Sequence, residues 1–252
     1  MTERIPGFAT LAIHAGAQPD PTTGARATPI YQTTSYVFES VDHAASLFGL
    51  STFGNIYTRI GNPTTAVLEE RVAALEGGTA GLATASGHAA QMMTFHCLLQ
   101  PGDEFVASRK LYGGSINQFT HAFKNFGWNV VWADPDDISS FERAVSPKTK
   151  AIFTESIANP GGVITDMAAV SQIARRAGVP YIVDKHTRHT LFVQADRPRC
   201  RHRHSFADEI SRRPRQLDRR PDRRCRHLQL VARATLSDAV RAAAGISRHR
   251  AA

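Results

Sequence analysis

Lysine is scarce in this sequence: Lys110, Lys124, Lys148, Lys150 and Lys185 are all there are, and none follows Lys185. Aromatic residues also run out beyond that point, where only Phe192 and Phe206 occur. So few rings leave no stacking platform for reading bases, which argues against specific nucleic-acid recognition. Cysteine is limited to Cys97, Cys200 and Cys225. Their spacing makes no disulfide framework, which points to a reducing compartment. No apolar run is long enough to span a bilayer, and the segment from Met1 to Gly7 lacks a basic-then-apolar signal pattern. The expected location is the cytoplasm, away from membranes.

What is present is divided sharply by charge. Residues 1–184 hold 12 Lys/Arg against 16 Asp/Glu, a net of −4, whereas residues 185–252 hold 18 against 6, a net of +12. Of those 18 basic residues, 17 are arginine. Such a basic end would bind phosphates non-specifically. Cys200, His202, His204, Cys225 and His227 are metal-ligand types, but they alternate with arginines and lack C-x-x-C spacing, so no metal site is expected.

Residues 1–60 read as an irregular arm, punctuated by Pro19, Pro21, Gly24 and Pro29. From Asn62-Pro63 the pattern becomes regular. Val67, Leu68, Val72 and Leu75 mark one face of a helix, stopped by Gly77-Gly78. An apolar run from Ala80 to Ala85 reads as a short strand, and a helix is expected from His88 to Leu99. Strands are predicted over Glu104 to Ala107, Trp128 to Trp132, Ala151 to Thr154 and Tyr181 to Val183. Helical spacing occupies the stretch before Phe126 and that from Asp166 to Arg176. This alternation predicts an α/β fold, a mainly parallel sheet with helices on both faces. After Asp184 the rhythm is lost, and Arg199–His204 and Arg212–Arg226 contain little to bury. Only Leu228 to Ala244 regains a weak helical pattern. The expected organisation is an arm (1–60), a partial large domain (61–184) and a basic tail (185–252).

Several residues carry possible chemistry, and each has an ordinary alternative. Ser86-Gly87-His88, between a strand and a helix start, is either a phosphate cradle or a plain strand-to-helix turn. Asp184 ends an apolar strand, where open parallel sheets bind ligands, or it caps a turn. Tyr112, before two glycines, presents a ring to a flat cofactor or packs on the core. Asn159-Pro160 is a contact loop or an ordinary turn. Tyr57 and Arg59 sit in the arm, where an arginine is usually just solvated.

Taken in order, these stretches resemble the Cys/Met-metabolism family of pyridoxal-phosphate enzymes. The resemblance rests on T-L-A-I-H-A-G (Thr10 to Gly16), P-I-Y-Q-T-T-S-Y-V-F (Pro29 to Phe38) and Y-T-R-I-G-N-P-T (Tyr57 to Thr64). It continues through A-L-E-G-G, A-T-A-S-G-H-A-A-Q, L-Y-G-G-S-I-N-Q-F and Y-I-V-D, ending at Asp184. The I-Y-Q-T-T-S and N-Q-F stretches look more like the family's sulfhydrylases than its lyases. The resemblance implies the fold of type I pyridoxal-phosphate transferases. It also implies γ-replacement of acetate in O-acetylhomoserine by sulfide or a thiol, in a homodimer or homotetramer. O-succinylhomoserine sulfhydrylase and cystathionine γ-synthase chemistries are the nearest alternatives. By the same resemblance, Ser86, Gly87 and the His88 amide would hold the cofactor phosphate, and Tyr57 and Arg59 would reach that of a neighbouring subunit. Tyr112 would stack on the pyridine ring, Asn159 would contact its hydroxyl, and Asp184 would pair with its nitrogen.

The pattern then fails. The family continues D-N-T and later presents H-S-x-T-K, whose lysine anchors the cofactor covalently. Here Lys185-His186-Thr187 follows Asp184, and His204-Ser205-Phe206-Ala207-Asp208-Glu209 stands where the lysine motif belongs. Degenerate codons for Arg201 to Ile210, read from their second nucleotide, admit D-I-V-I-H-S-L-T-K. The same shift over Lys185 to Leu191 admits N-T-L-A-T-P, and over Ser211 to Arg220 it admits L-G-G-H-G-N-S-I-G. A single inserted nucleotide near codon 185 accounts for all three, and for the arginine-rich composition. The expectation is therefore an inactive product, without the anchoring lysine or the family's C-terminal domain, whose incomplete sheet exposes an apolar edge. A non-catalytic polyanion-binding protein is the competing class.

Overall fold

The computed structural model describes residues 6–185. The expectations for the metal-ligand types, the shifted lysine motif and the helical pattern over 228–244 lie outside the described residues. What is described falls into two compact units, 6–71 and 72–185, divided inside a helix.

The first unit is less irregular than the arm expected from the sequence. It contains α1 (Phe8–His14), α2 (Val41–Phe48) and the first part of α3 (Pro63–Glu76). Ser40 starts α2 by accepting the His43 N–H on its hydroxyl at 3.0 Å. Asn62 starts α3 in the same way, its Oδ1 accepting from Thr64 N–H at 2.8 Å, and Pro63 follows where a missing N–H costs nothing. Gly16 (φ +71°) passes so close to α3 that a Cβ would lie 2.8 Å from the Val67 carbonyl oxygen. Beside it, Arg71 Nε donates to the Ala15 carbonyl at 2.9 Å, and burial pushes this guanidinium below its ordinary pKa.

The second unit is built on a four-stranded sheet in the order β2-β1-β3-β4, all neighbours parallel. The strands are β1 (Glu104–Ser108), β2 (Asn129–Ala133), β3 (Thr149–Glu155) and β4 (Tyr181–Asp184). The run 80–85, expected as a strand, is not one of them. Helix α4 (Gly87–Leu98) precedes β1, and α5 (Gly113–Asn117), α6 (Ser139–Ala144) and α7 (Met167–Ala177) occupy the connections between successive strands. A π-helical turn and a 3₁₀ turn extend α5 to Phe126, where Gly127 (φ +74°) ends the helix as its sequence position predicts. α6 is the one helix of this unit that the sequence pattern does not anticipate.

Strand alternation divides the core in two. On one face Phe105, Ala107, Ala151, Phe153 and Ile182 pack under α4 and α5, with Phe95, Phe119 and Phe123. The Phe95 ring lies 4.3 Å from Phe105 and 5.3 Å from Phe123, tilted and edge-on as aromatic quadrupoles prefer. On the other face Val106, Ile152, Tyr181 and Val183 meet Phe141 of α6 and Val170, Ile173 and Ala174 of α7. Thus helices do cover both faces.

The buried side of α3 departs from its sequence pattern. Val67, Leu68, Val72 and Leu75 are only half-buried, whereas Arg71 and Glu76 are buried. Glu76 accepts both hydrogen bonds of a bidentate ion pair from Lys185 Nζ, at 2.7 and 2.6 Å. The side chains are 1 % and 7 % exposed, so this charge is dry and its partner matters.

Phe95, with no exposure, packs against the rings of Phe105, Phe119, Phe123 and Phe153. Truncation by Phe95→Ala is expected to cost about 3–5 kcal/mol of unfolding free energy in a urea titration. The exposed Phe126→Ala is expected to cost about 0.5 kcal/mol or less in the same titration.

Candidate cofactor-binding site

The parallel order places every strand's C-terminal end on one side, and the sequence-predicted site residues of the second unit gather there. α4 begins at Ser86, whose backbone is extended (φ −162°) and whose Oγ accepts the Ala89 N–H at 3.1 Å. A hydroxyl that accepts in this way keeps its own hydrogen for an anion. The N–H groups of Gly87 and His88 open the helix and have no intrahelical carbonyl to meet. Together these make the positive end of a three-turn helix.

Tyr112 immediately precedes α5, and its half-exposed ring lies 6.0 Å from that of His88, near-parallel at 25°. Gly114 is required for this approach. A Cβ there would overlap the Tyr112 ring edge and fall 2.8 Å from His88 Cε1. Gln118, a turn further on, donates from Nε2 to the His88 carbonyl at 3.0 Å and so ties the start of α4 to the segment after α5. Asn159 is exposed in the loop after β3, joined to Pro160 by a cis peptide bond. Asp184 ends β4, half-buried, in register with Glu155 at the end of β3. Its carbonyl accepts the Ser156 N–H at 2.9 Å.

Glu155 connects these parts. It is fully buried, and by strand alternation it and Asp184 continue the face that carries Phe153 and Ile182. Its Oε1 accepts the Tyr112 N–H at 2.7 Å, and its Oε2 accepts the Asn159 N–H at 3.2 Å. The sequence marks Glu155 only as a strand end. The available signal was a carboxylate closing an apolar strand four residues before Asn159.

Tyr57 and Arg59 belong to the first unit, where Arg59 Nη2 donates to the Tyr57 hydroxyl at 3.2 Å. The guanidinium also lies over the ring, 5.0 Å from its centroid. Among the described residues no group of His, Cys, Asp or Glu could hold a metal ion, and no helix is long and apolar enough to cross a membrane.

The donor set suits an anionic, flat, basic-nitrogen cofactor. It offers helix-end N–H groups and a hydroxyl for a phosphate, a tyrosine face for a ring, and a carboxylate at a strand end for a protonated ring nitrogen.

Known proteins agree with that chemistry. The family described as Cys/Met metabolism PLP-dependent enzyme matches residues 9–195. O-acetyl-L-homoserine sulfhydrylase of Leptospira meyeri is 53 % identical over 175 residues, covering 69 % of this chain and 40 % of the relative. O-acetyl-L-homoserine sulfhydrylase 1 of Thermus thermophilus is 52 % identical over 178 residues, covering 70 % and 42 %. Among solved structures, a putative O-acetylhomoserine (thiol)-lyase from Campylobacter jejuni superposes with a TM-score of 0.70 at 41 % identity. The likeness covers 72 % of this chain and 44 % of that one, which carries N'-pyridoxyl-lysine-5'-monophosphate. The chain spans less than half the length of each of these relatives. On the match to residues 9–195, the chain belongs to the Cys/Met-metabolism family of pyridoxal-phosphate-dependent enzymes.

Proposed function

We propose that this chain derives from an enzyme that replaces the acetate of O-acetylhomoserine with sulfide or a thiol to give homocysteine. We further propose that the chain itself holds the cofactor without turning over. The observation that carries the reading is the gathering of α4's first turn, the Tyr112 ring, the Asn159 loop and Asp184 at one end of a parallel sheet. The relatives named O-acetyl-L-homoserine sulfhydrylase support the choice of substrate. Cys97 is an exposed free thiol, which suits a reducing compartment such as the cytoplasm.

When bound, pyridoxal phosphate supplies an electron sink for carbanion chemistry. The residues of this chain would hold it in register. Ser86 Oγ and the N–H groups of Gly87 and His88 would take the phosphate, and the Tyr112 ring would lie against the pyridine. Asn159 would contact the ring hydroxyl, and the Asp184 carboxylate would keep a proton on the ring nitrogen through a charge-assisted hydrogen bond. Tyr57 and Arg59 would reach the phosphate held by a neighbouring copy, so the working assembly would be at least a homodimer.

Turnover in this lineage needs a lysine that anchors the cofactor and then moves protons at the substrate carbons. The reading frame, on this proposal, slips after Asp184 and removes it. Lys185 does not replace it, because its amine is committed to both carboxylate oxygens of buried Glu76. An amine held as a dry, paired ammonium is a poor nucleophile.

Borohydride reduction of the chain with pyridoxal phosphate, followed by peptide mapping, is expected to leave Lys185 unmodified. Exposed lysines such as Lys124 and Lys148 serve as the labelling control. A pyridoxyl group on Lys185 would refute the sequestration. A gene with its frame restored after Asp184 is expected to form homocysteine from O-acetylhomoserine and sulfide, while the present chain does not. Substituting Asp184→Ala in the restored enzyme is expected to lower kcat about 100-fold or more. Preference of the restored enzyme for O-succinylhomoserine, or for cysteine as the thiol, would replace the substrate reading.

A further inference from the structure

We infer that Glu155 is a positioning residue that clamps the two loops through which the site would grip the cofactor ring. The inference rests on the pyridoxal-phosphate reading of Tyr112, Asn159 and Asp184 above, and adds to it a residue that contacts the loops rather than the ring.

Glu155 is fully buried at the last position of β3. A carboxylate in that setting is costly unless both oxygens find donors. It finds them on two separate segments. Oε1 takes the Tyr112 N–H at 2.7 Å, and Oε2 takes the Asn159 N–H at 3.2 Å. Tyr112 follows β1 and Asn159 follows β3, so one side chain spans the gap between neighbouring connections. The clamped N–H groups belong to residues whose side chains are exposed, Tyr112 at 47 %. The rest of Glu155 is also held: its carbonyl accepts the Thr165 hydroxyl at 3.1 Å, and its backbone pairs with Asp184 in β4. Ring, loop and strand-end carboxylate are therefore referred to one rigid point.

The two oxygens explain why a carboxylate stands here and not its amide. Glutamine would offer one acceptor and one NH₂ group. Whichever loop met the NH₂ would face a donor with a donor, losing its bond and leaving the buried amide nitrogen without that partner. Hydrogen bonds to a charged acceptor are worth about 1.5–3 kcal/mol, or roughly 10- to 100-fold in an equilibrium.

The test begins with the full chain unaltered. Amide hydrogen exchange at Tyr112 and Asn159 is expected to be at least about tenfold slower than for unclamped loop amides, despite the exposed side chains. Exchange at ordinary loop rates would overturn the clamp without any mutant. In Glu155→Gln, at least one of these amides is expected to speed up by about tenfold or more, with the core amides of Phe105 and Phe153 unchanged. Pyridoxal-phosphate affinity, read by fluorescence titration, is expected to fall by about 10- to 100-fold. At saturation, the induced circular dichroism of the bound ring is expected to change, which a purely stabilising role would not produce. Loop amides that open while affinity and dichroism stay constant would overturn the positioning role. Failure of the unaltered chain to bind pyridoxal phosphate at all would sink the functional reading and the positioning role with it, while slow exchange at the two amides would show the loop clamp to be separate from that failure.

Discussion

Strands that run in the same direction cannot be joined by a hairpin, so each junction between residues 104 and 184 needs a crossover. A crossover long enough to return the chain to the starting edge is most cheaply helical, and its apolar stripe must lie on the sheet. Both sheet faces are consequently buried, one against the phenylalanine cluster around Phe95 and the other against Phe141 and Val170. Both faces being covered, the sheet is open for chemistry only at its ends. At the C-terminal ends the loops after β1 and β3 approach each other, and there the polar side chains collect.

Polar burial in this unit follows one rule. Where a charge is taken out of water, it meets partners from distant parts of the chain. Glu155 draws its donors from two loops, and Glu76 draws Lys185 from 109 residues away. Such groups add less to net stability than apolar residues of similar volume would, but they tolerate very few arrangements. That intolerance gives the Tyr112 and Asn159 loops a defined separation, which apolar packing alone would leave adjustable.

The parallel sheet was legible because four strands are short apolar runs bounded by glycine, proline and aspartate, and because α4 and α7 carry ordinary start signals. Ser86 and Asp166 each cap the helix that follows, as their positions imply. What was not legible depends on partners remote in sequence. Nothing local announces that Arg71 and Glu76 point inward while Val67 and Leu75 stay half-buried. Likewise Glu155 looks like a strand terminus until the two N–H groups are seen converging on it. α1, α2 and α6 escaped because helices of 7, 8 and 6 residues complete too few turns to show a periodicity. The run 80–85 is apolar enough for a strand yet forms none of the four described strands, with Ala83 in a β-bridge. The candidate site was legible chiefly as an ordered set of motifs; one at a time, Ser86, Tyr112, Asn159 and Asp184 each had an everyday explanation.

The Glu76–Lys185 pair has a bearing on how far the chain could be trimmed. Removing everything after residue 185 would leave that carboxylate its counter-ion. Cutting one residue earlier would take the paired ammonium away from a carboxylate that is 1 % exposed. The ammonium at 185 thus marks a C-terminal boundary at which the second unit keeps this ion pair.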